Sequence, residues 1–251
     1  MTEAELVHYR TVDAVATITF DSPHNRNALS RQLVSELYRG LDAAEADAAV
    51  RVIVIRAEGR TFCSGADLSE ASSGGMEQGA LGIVDLQRRI VTCPKPVVTR
   101  LHGAVRAGGI GIVAASDVAI SADDASYAFT EVKLALTPAA ISLTVLPRMT
   151  DRAAALTFLT GETFDGAAAA AMGLVTKAVP EAELDAEVDA VCAALATGAP
   201  QGLRETKLLL GRHLVRNIDE HGGDLAKLSA RLFGSDEARE AMTAFLTRRS
   251  M

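Results

Sequence analysis

Glu131 and the glycine pair of Arg106-Ala107-Gly108-Gly109 are the residues of this chain best suited to chemistry. A carboxylate carries protons usefully when its surroundings tune and position it. A glycine pair ahead of an apolar helix offers backbone N–H groups, backed by the positive helix end, to a negatively charged oxygen. Together they outline a site that moves a proton beside a polarised carbonyl. A second stretch of small residues, Thr61-Phe62-Cys63-Ser64-Gly65-Ala66-Asp67-Leu68, follows a strand and permits close backbone approach to a ligand. It also reads as a tight strand-to-helix turn with Asp67 as N-cap. Two such loops in order, each after a strand, favour a two-donor oxyanion hole. A GxGxxG dinucleotide fingerprint is absent, and no acidic residue is placed for a ribose. His24, His102, His213 and His221 stand apart from any nucleophilic Ser or Cys, which argues against a catalytic triad. Cys63 reads as a small packed residue and His102 as a structural hydrogen-bonding group.

The elements that must hold these groups alternate in the first half of the chain. Val15–Phe20 alternates in the manner of a strand and stops at the turn cluster Asp21-Ser22-Pro23-His24-Asn25. Ser30 is placed to cap a helix over 31–47, with Leu33, Leu37 and Leu41 at helical spacing. Val52–Ala57 is a continuous apolar run, as in a strand covered on both faces. Two more strands are expected at 95–101 and 117–121, with a small-residue helix over 108–116 between them. From residue 150 onward the pattern is almost wholly helical, with segments at 151–160, 165–172, 184–196, 201–212, 219–233 and 236–248. Gly161, Gly173, Gly198 and Gly222-Gly223 punctuate it. This predicts an α/β core over 1–195 and a helical C-terminal region over 196–251. Ser72-Ser73-Gly74-Gly75-Met76 reads as a mobile stretch where a substrate-covering lid could sit.

With 251 residues, 49% of them hydrophobic and 23% charged, the chain can bury one full core. The net charge of −7 argues against nucleic-acid binding. Three scattered cysteines without a CxxC pair argue against a disulfide framework or a zinc site. No signal peptide or membrane span is legible, so a cytoplasmic location is expected.

The order of these segments resembles the crotonase (enoyl-CoA hydratase/isomerase) superfamily. The resemblance runs through Asn27-Ala28-Leu29, Phe62–Leu68, Gly103–Asp117, Phe129-Thr130-Glu131, Leu159-Thr160-Gly161, Gly173-Leu174-Val175, Lys207 and Phe245–Arg249. It implies a spiral of ββα units followed by a helical trimerisation region, assembled as a homotrimer or a dimer of trimers. It implies an acyl-CoA substrate, with coenzyme A part of that substrate and no separate cofactor or metal. The Ala66 and Gly108 amides would hold the thioester oxygen and stabilise an enolate. Ser64 to Leu68, including Asp67, would meet the adenine through main-chain groups. Arg26 would sit near the CoA phosphates, and Arg248 and Arg249 would reach a neighbouring subunit's CoA.

Two departures from the family pattern stand out. Hydratases of the family carry two catalytic glutamates; the later maps onto Glu131, the earlier onto Gly111. The apolar neighbours Phe129, Val132, Leu134 and Leu136 predict partial burial of Glu131 and a raised pKa. A glycine-rich turn common after Pro138 is here Ala139-Ala140-Ile141-Ser142, which resembles a branch of methylglutaconyl-CoA hydratase-like proteins. On that resemblance, water addition to an enoyl-CoA ranks first. Double-bond isomerisation with the same Glu131 follows, and then CoA-thioester binding with little catalysis. Arg106 stands where an apolar residue is common. It would pair with an acyl-chain carboxylate if it faces the pocket; otherwise it is solvated or meets a CoA phosphate.

Overall fold

The computed structural model describes residues 4–67, 70 and 76–249. Nine strands and nine helices are seen among them. The chain opens with an antiparallel hairpin, β1 (Val7–Val12) and β2 (Val15–Phe20), and α1 (Arg31–Ala46) then crosses over to β3 (Val52–Ala57), parallel to β2. Ser30 caps α1 by accepting the Leu33 amide through Oγ at 3.2 Å. Leu33, Leu37 and Leu41 are fully buried.

After β3 the chain repeats one device three times. A long strand is followed by a three-residue strand and then a helix. The units are β3 with β4 (Thr61–Cys63) and α2 (Met76–Thr92); β5 (Val97–Leu101) with β6 (Ala104–Arg106) and α3 (Gly108–Ala115); and β7 (Val118–Ala122) with β8 (Ser126–Ala128) and, after a 3-10 turn at Thr130–Leu134, α4 (Ala139–Val145). The first strands pair in parallel in a six-stranded sheet of order β1-β2-β3-β5-β7-β9. The second strands form a separate parallel sheet, β4-β6-β8. Each turn of the spiral therefore contributes one strand to each sheet. Parallel pairing needs a crossover, which the helices supply. The core lies between the large sheet and these helices, with Ile18, Phe20, Ile53, Ile55 and Phe62 fully buried.

Beyond α4 come α5 (Asp151–Thr160), α6 (Gly166–Ala171), α7 (Leu184–Ala196), α8 (Pro200–Phe233) and α9 (Asp236–Arg249). Three expectations need correction. The stretch after 150 also holds β9 (Lys177–Val179), too short for a periodic signal but paired with β7. The segments 201–212 and 219–233 are one helix of 34 residues. Gly222 sits inside it for packing, since a Cβ there would lie 2.7 Å from Val84 Cγ1 on α2. Thr61–Cys63 is a strand of the second sheet rather than part of a turn. The proposed lid residues Ser72–Gly75 lie outside the described residues, as does Leu68. Among the described residues, no helix is long and apolar enough to cross a membrane.

Candidate active site

Ala66, Gly108 and Glu131 stand three, two and three residues beyond the last residues of β4, β6 and β8. These strands run parallel in one small sheet, with Cys63 opposite Val105 and Arg106 opposite Ala128. Neighbouring strands lie about 4.8 Å apart. Three consecutive turns of the spiral thus place an amide, an amide and a carboxyl along one sheet edge. The crevice beyond the carboxyl ends of parallel strands is where such sheets bind ligands.

The two amide loops are locked to each other. Leu29 N donates to Gly65 O at 2.8 Å, so Ala66 sits beside Leu29 in a one-residue parallel bridge. Cys63 Sγ accepts the Gly65 amide at 3.4 Å. A Cβ on Gly65 would fall 2.7 Å from Ala107 Cβ, and one on Gly109 would fall 2.7 Å from Cys63 Cβ. Only glycine permits this approach at either position. Gly65 also holds φ +98°, which L side chains rarely adopt. Ala107, at φ 43° and ψ −120°, takes up a sparsely populated conformation just before the helix. Gly108 then opens α3 as an unpaired donor at the positive helix end. Arg148 steadies the other end by donating to Ala114 O and Ser116 O at 3.1 and 3.2 Å. Among the described residues, no hydrogen bond takes up the Ala66 or Gly108 amide.

Glu131 sits in the first turn of the 3-10 segment, two residues after the fully buried Phe129. The Phe129 ring packs against Phe158 and Phe164 at centroid distances of 4.3 and 6.0 Å. Leu136 N donates to Glu131 O at 3.0 Å and tightens the turn. Glu131 Oε2 is buried and has no hydrogen-bond partner. Burial pushes the carboxyl up from 4.5 to about 7, with its own amide pulling weakly the other way. The expected apolar surroundings hold for Phe129 and Leu136, whereas Val132 faces solvent. A carboxyl that titrates near neutrality can both take and return a proton.

Arg26, Ser64 and Asp67 also come together. Ser64 donates through Oγ to Asn25 O at 3.2 Å and through its amide to Arg26 O at 3.2 Å. Asn25 Nδ2 donates to Asp67 Oδ2 at 3.0 Å. Arg26 and Asn27 both have positive φ, 60° and 54°. The buried Asn27 side chain holds that bend by accepting the Ser22 amide at 2.7 Å and donating to Glu58 O and Thr61 O at 3.0 and 2.7 Å. The Arg26 side chain is exposed beside this loop. Arg248 lies in α9, of which only the backbone is described at that position. The α9 helix packs against the Thr130–Leu134 turn of its own chain.

Arg106 does not face the site. It donates through Nη1 to Val105 O at 2.9 Å and to Ser126 O, and through Nη2 to Ser126 Oγ at 2.8 Å. Ser126 pairs with Ala104, two residues back along β6. The guanidinium is therefore turned away from the strand ends where Gly108 lies, and it is half-buried rather than solvated. His102 is structural as expected: its ring bonds Gly59 O at 2.7 Å and Arg100 Nη1 at 3.0 Å. Arg100 in turn holds Asp185 of α7 through two contacts of 2.6 and 3.2 Å. Lys207 is a buried tie, with Nζ donating to Ile90 O, Lys95 O and Asp117 Oδ2 at 3.0, 3.0 and 2.7 Å. Cys63 is buried, and its thiol is pushed up to about 12.

The residue occupying the space beside Gly111 could not be read from the sequence. A Cβ on Gly111 would lie 2.8 Å from Ile141 Cγ2 and 3.4 Å from Gln87 Cδ. Neither was identified as a site residue, because nothing in the local pattern marks a helix residue that fills another element's missing side chain.

This arrangement of paired amide loops and a buried carboxyl coincides with a family match over residues 10–251 to the enoyl-CoA hydratase/isomerase model. The chain belongs to that family. It is 37% identical over 245 residues to a Bacillus subtilis protein named a probable enoyl-CoA hydratase, covering 94% of this chain and 93% of that one. It is 29% identical over 262 residues to the peroxisomal Delta(3,5)-Delta(2,4)-dienoyl-CoA isomerase of Arabidopsis thaliana, covering 98% and 94%. The crystal structure of an enoyl-CoA hydratase from Mycobacterium avium superposes with a TM-score of 0.93 at 44% identity, covering 98% of this chain and 97% of that one. The spiral of ββα units is thus the crotonase-like α/β fold.

Proposed function

We propose that this protein adds water to the double bond of an enoyl-CoA thioester, with Glu131 as its proton carrier. The observation that carries the reading is the Glu131 carboxyl, whose buried Oε2 has no partner among the described residues and whose pKa is pushed up to about 7, one strand away from a Gly108 amide that no described group takes up. In this reading the thioester oxygen sits between the Ala66 and Gly108 amides. As charge builds on that oxygen both hydrogen bonds strengthen, and each such donor lowers the barrier by about 3 kcal/mol. Glu131 takes a proton from water as its oxygen bonds to C3. The double-bond electrons move to C2 and the thioester oxygen, and Glu131 returns the proton to C2. Hydratase-named relatives and the Ala-x-Ile-Ser resemblance support water addition.

A second reading, double-bond migration, draws on the absence of a carboxylate at Gly111. One carboxylate suffices to remove a proton from C2 of a 3-enoyl-CoA and return it at C4. Arg26 beside the Ser64–Asp67 loop is assigned to the CoA phosphates. The trimer, or pair of trimers, belongs to the same proposal. The exposed leucines Leu159, Leu209 and Leu210, at 74%, 62% and 66% exposure, support a covering partner.

The test is turnover of crotonyl-CoA and a straight-chain 3-enoyl-CoA by wild type and Glu131→Gln. The expected product from crotonyl-CoA is the 3-hydroxyacyl-CoA, lost in the variant. Conversion of the 3-enoyl-CoA without water addition to either substrate would leave the isomerase reading. Tight binding without turnover would leave a CoA-thioester-binding protein.

A further inference from the structure

Gly111 and Ile141, the latter in the Ala139–Ser142 stretch that replaces a glycine-rich turn of the family, meet in space. Gly111 lies three residues beyond Gly108, one turn along the same face of α3. A Cβ on Gly108 would approach Leu29 Cδ1 and Ile83 Cδ1 at 2.7 and 3.1 Å. A Cβ on Gly111 would approach Ile141 Cγ2 and Gln87 Cδ at 2.8 and 3.4 Å. Ile83 and Gln87 are themselves one turn apart on α2. The wall running from the oxyanion amide is therefore built from Leu29, Ile83, Ile141 and the carbon end of Gln87.

The Gln87 amide is already committed. Its Nε2 donates to Ile83 O at 3.1 Å and Ala140 O at 2.9 Å, and its Oε1 accepts from Thr144 Oγ1 at 2.6 Å. Gln87 is 1% exposed. Among the described residues, no side chain on this wall is titratable, and both Gln87 Nε2 hydrogens and one side of its Oε1 are already taken.

We propose that Ile141 is a specificity-determining residue that sets the balance between water addition and double-bond migration. Its side chain fills the volume that a proton-carrying residue at position 111 would need, and it keeps that wall dry. The proposal rests on Glu131 being the proton carrier. Migration needs no further reactant, and hydration needs only water. Hydration forms the C3–O bond and consumes one water. Migration moves one proton from C2 to C4 while the electron pair shifts along the chain.

The experiment compares wild type, Ile141→Ala, Gly111→Glu and the double variant with crotonyl-CoA and a straight-chain 3-enoyl-CoA, scoring hydrated against migrated product. Melting temperatures are taken alongside. Gly111→Glu alone is expected to melt lower and to gain no hydration, because its side chain meets Ile141. Adding Ile141→Ala recovers most of the lost melting temperature and raises the hydration-to-migration ratio about tenfold. Ile141→Ala alone raises it by a smaller factor. The inference is overturned if Gly111→Glu hydrates as fast as the double variant, if the ratio is unchanged in both Ile141 variants, or if the melting-temperature changes simply add. Glu131→Gln separates this from the parent reading. Hydration by the wild type that survives Glu131→Gln refutes the role of Glu131. A ratio that fails to respond while Glu131 stays essential refutes only the role of Ile141.

Discussion

Cys63 packs directly on Gly109, whose Cα leaves no room for a side chain against it, and the Cys63 sulfur accepts the Gly65 amide at 3.4 Å. One buried side chain thereby bridges the two loops that carry Ala66 and Gly108. Gly109→Ala would place a methyl 2.7 Å from Cys63 Cβ and 3.1 Å from its sulfur. The start of α3 must then move, and the Gly108 donor with it. The expected result is a fall in kcat of about 10²–10³-fold with a much smaller change in KM, read from steady-state kinetics. A change confined to KM would mean that the Gly108 amide serves binding alone.

Glu131 gives the protein a pH dependence of definite sign. Its folded pKa, about 7, lies above its ordinary 4.5, so the folded chain holds a proton that the unfolded chain releases. Its contribution is fully present below pH 4.5 and is lost as pH rises to about 7; the gap corresponds to about 3 kcal/mol. Glu131→Gln removes the buried charge. It should therefore melt higher than wild type at pH 8 and match it near pH 4.5. In the proposed mechanism the ionised form takes the proton, so catalysis runs the other way: kcat/KM should climb through about pH 7 and then level. A flat profile across pH 6–8 would count against Glu131 as the base.

Arg106→Leu removes the donors that hold Val105 O, Ser126 O and Ser126 Oγ. The variant should melt lower. Its kcat/KM on a dicarboxylic acyl-CoA and on a simple enoyl-CoA should fall by the same factor, to within about threefold. A selective loss on the dicarboxylic substrate would place the guanidinium in the acyl pocket instead.

Lys207→Met leaves Ile90 O and Lys95 O without their donor and Asp117 without its cation. Losing one partner of a buried ion pair costs about 3 kcal/mol. The denaturant midpoint should fall accordingly. The site lies elsewhere, so kcat of the folded fraction should hold.

Arg26→Gln tests the CoA assignment. The residue is exposed, and its loop is fixed by the Asn27 side chain rather than its own. KM for an acyl-CoA should rise about tenfold with kcat unchanged, and the effect should shrink with a substrate truncated at the phosphates. An unchanged KM would remove Arg26 from the binding surface.

Local chemistry made much of the fold legible. The runs Val15–Phe20 and Val52–Ala57 and the segments 151–160 and 184–196 match the observed β2, β3, α5 and α7, because alternation, a continuous apolar run and helix-forming composition are each legible locally. The three-residue strands β4, β6 and β8 did not declare themselves, because their identity comes from pairing with one another. The sequence by itself determined that Ala66, Gly108 and Glu131 exist as two small-residue loops and one carboxylate in a fixed order. That order is set by residue type and spacing alone.

Tertiary structure decided the rest. It brought the three groups to one sheet edge through the repeat of the spiral. It buried the Glu131 carboxyl and so moved its pKa. It turned Arg106 back onto Ser126, and it filled the space at Gly111 with Ile141. Each of these depends on atoms supplied by a distant part of the chain. Volume and desolvation are properties of such encounters and are not written in any local stretch of residues.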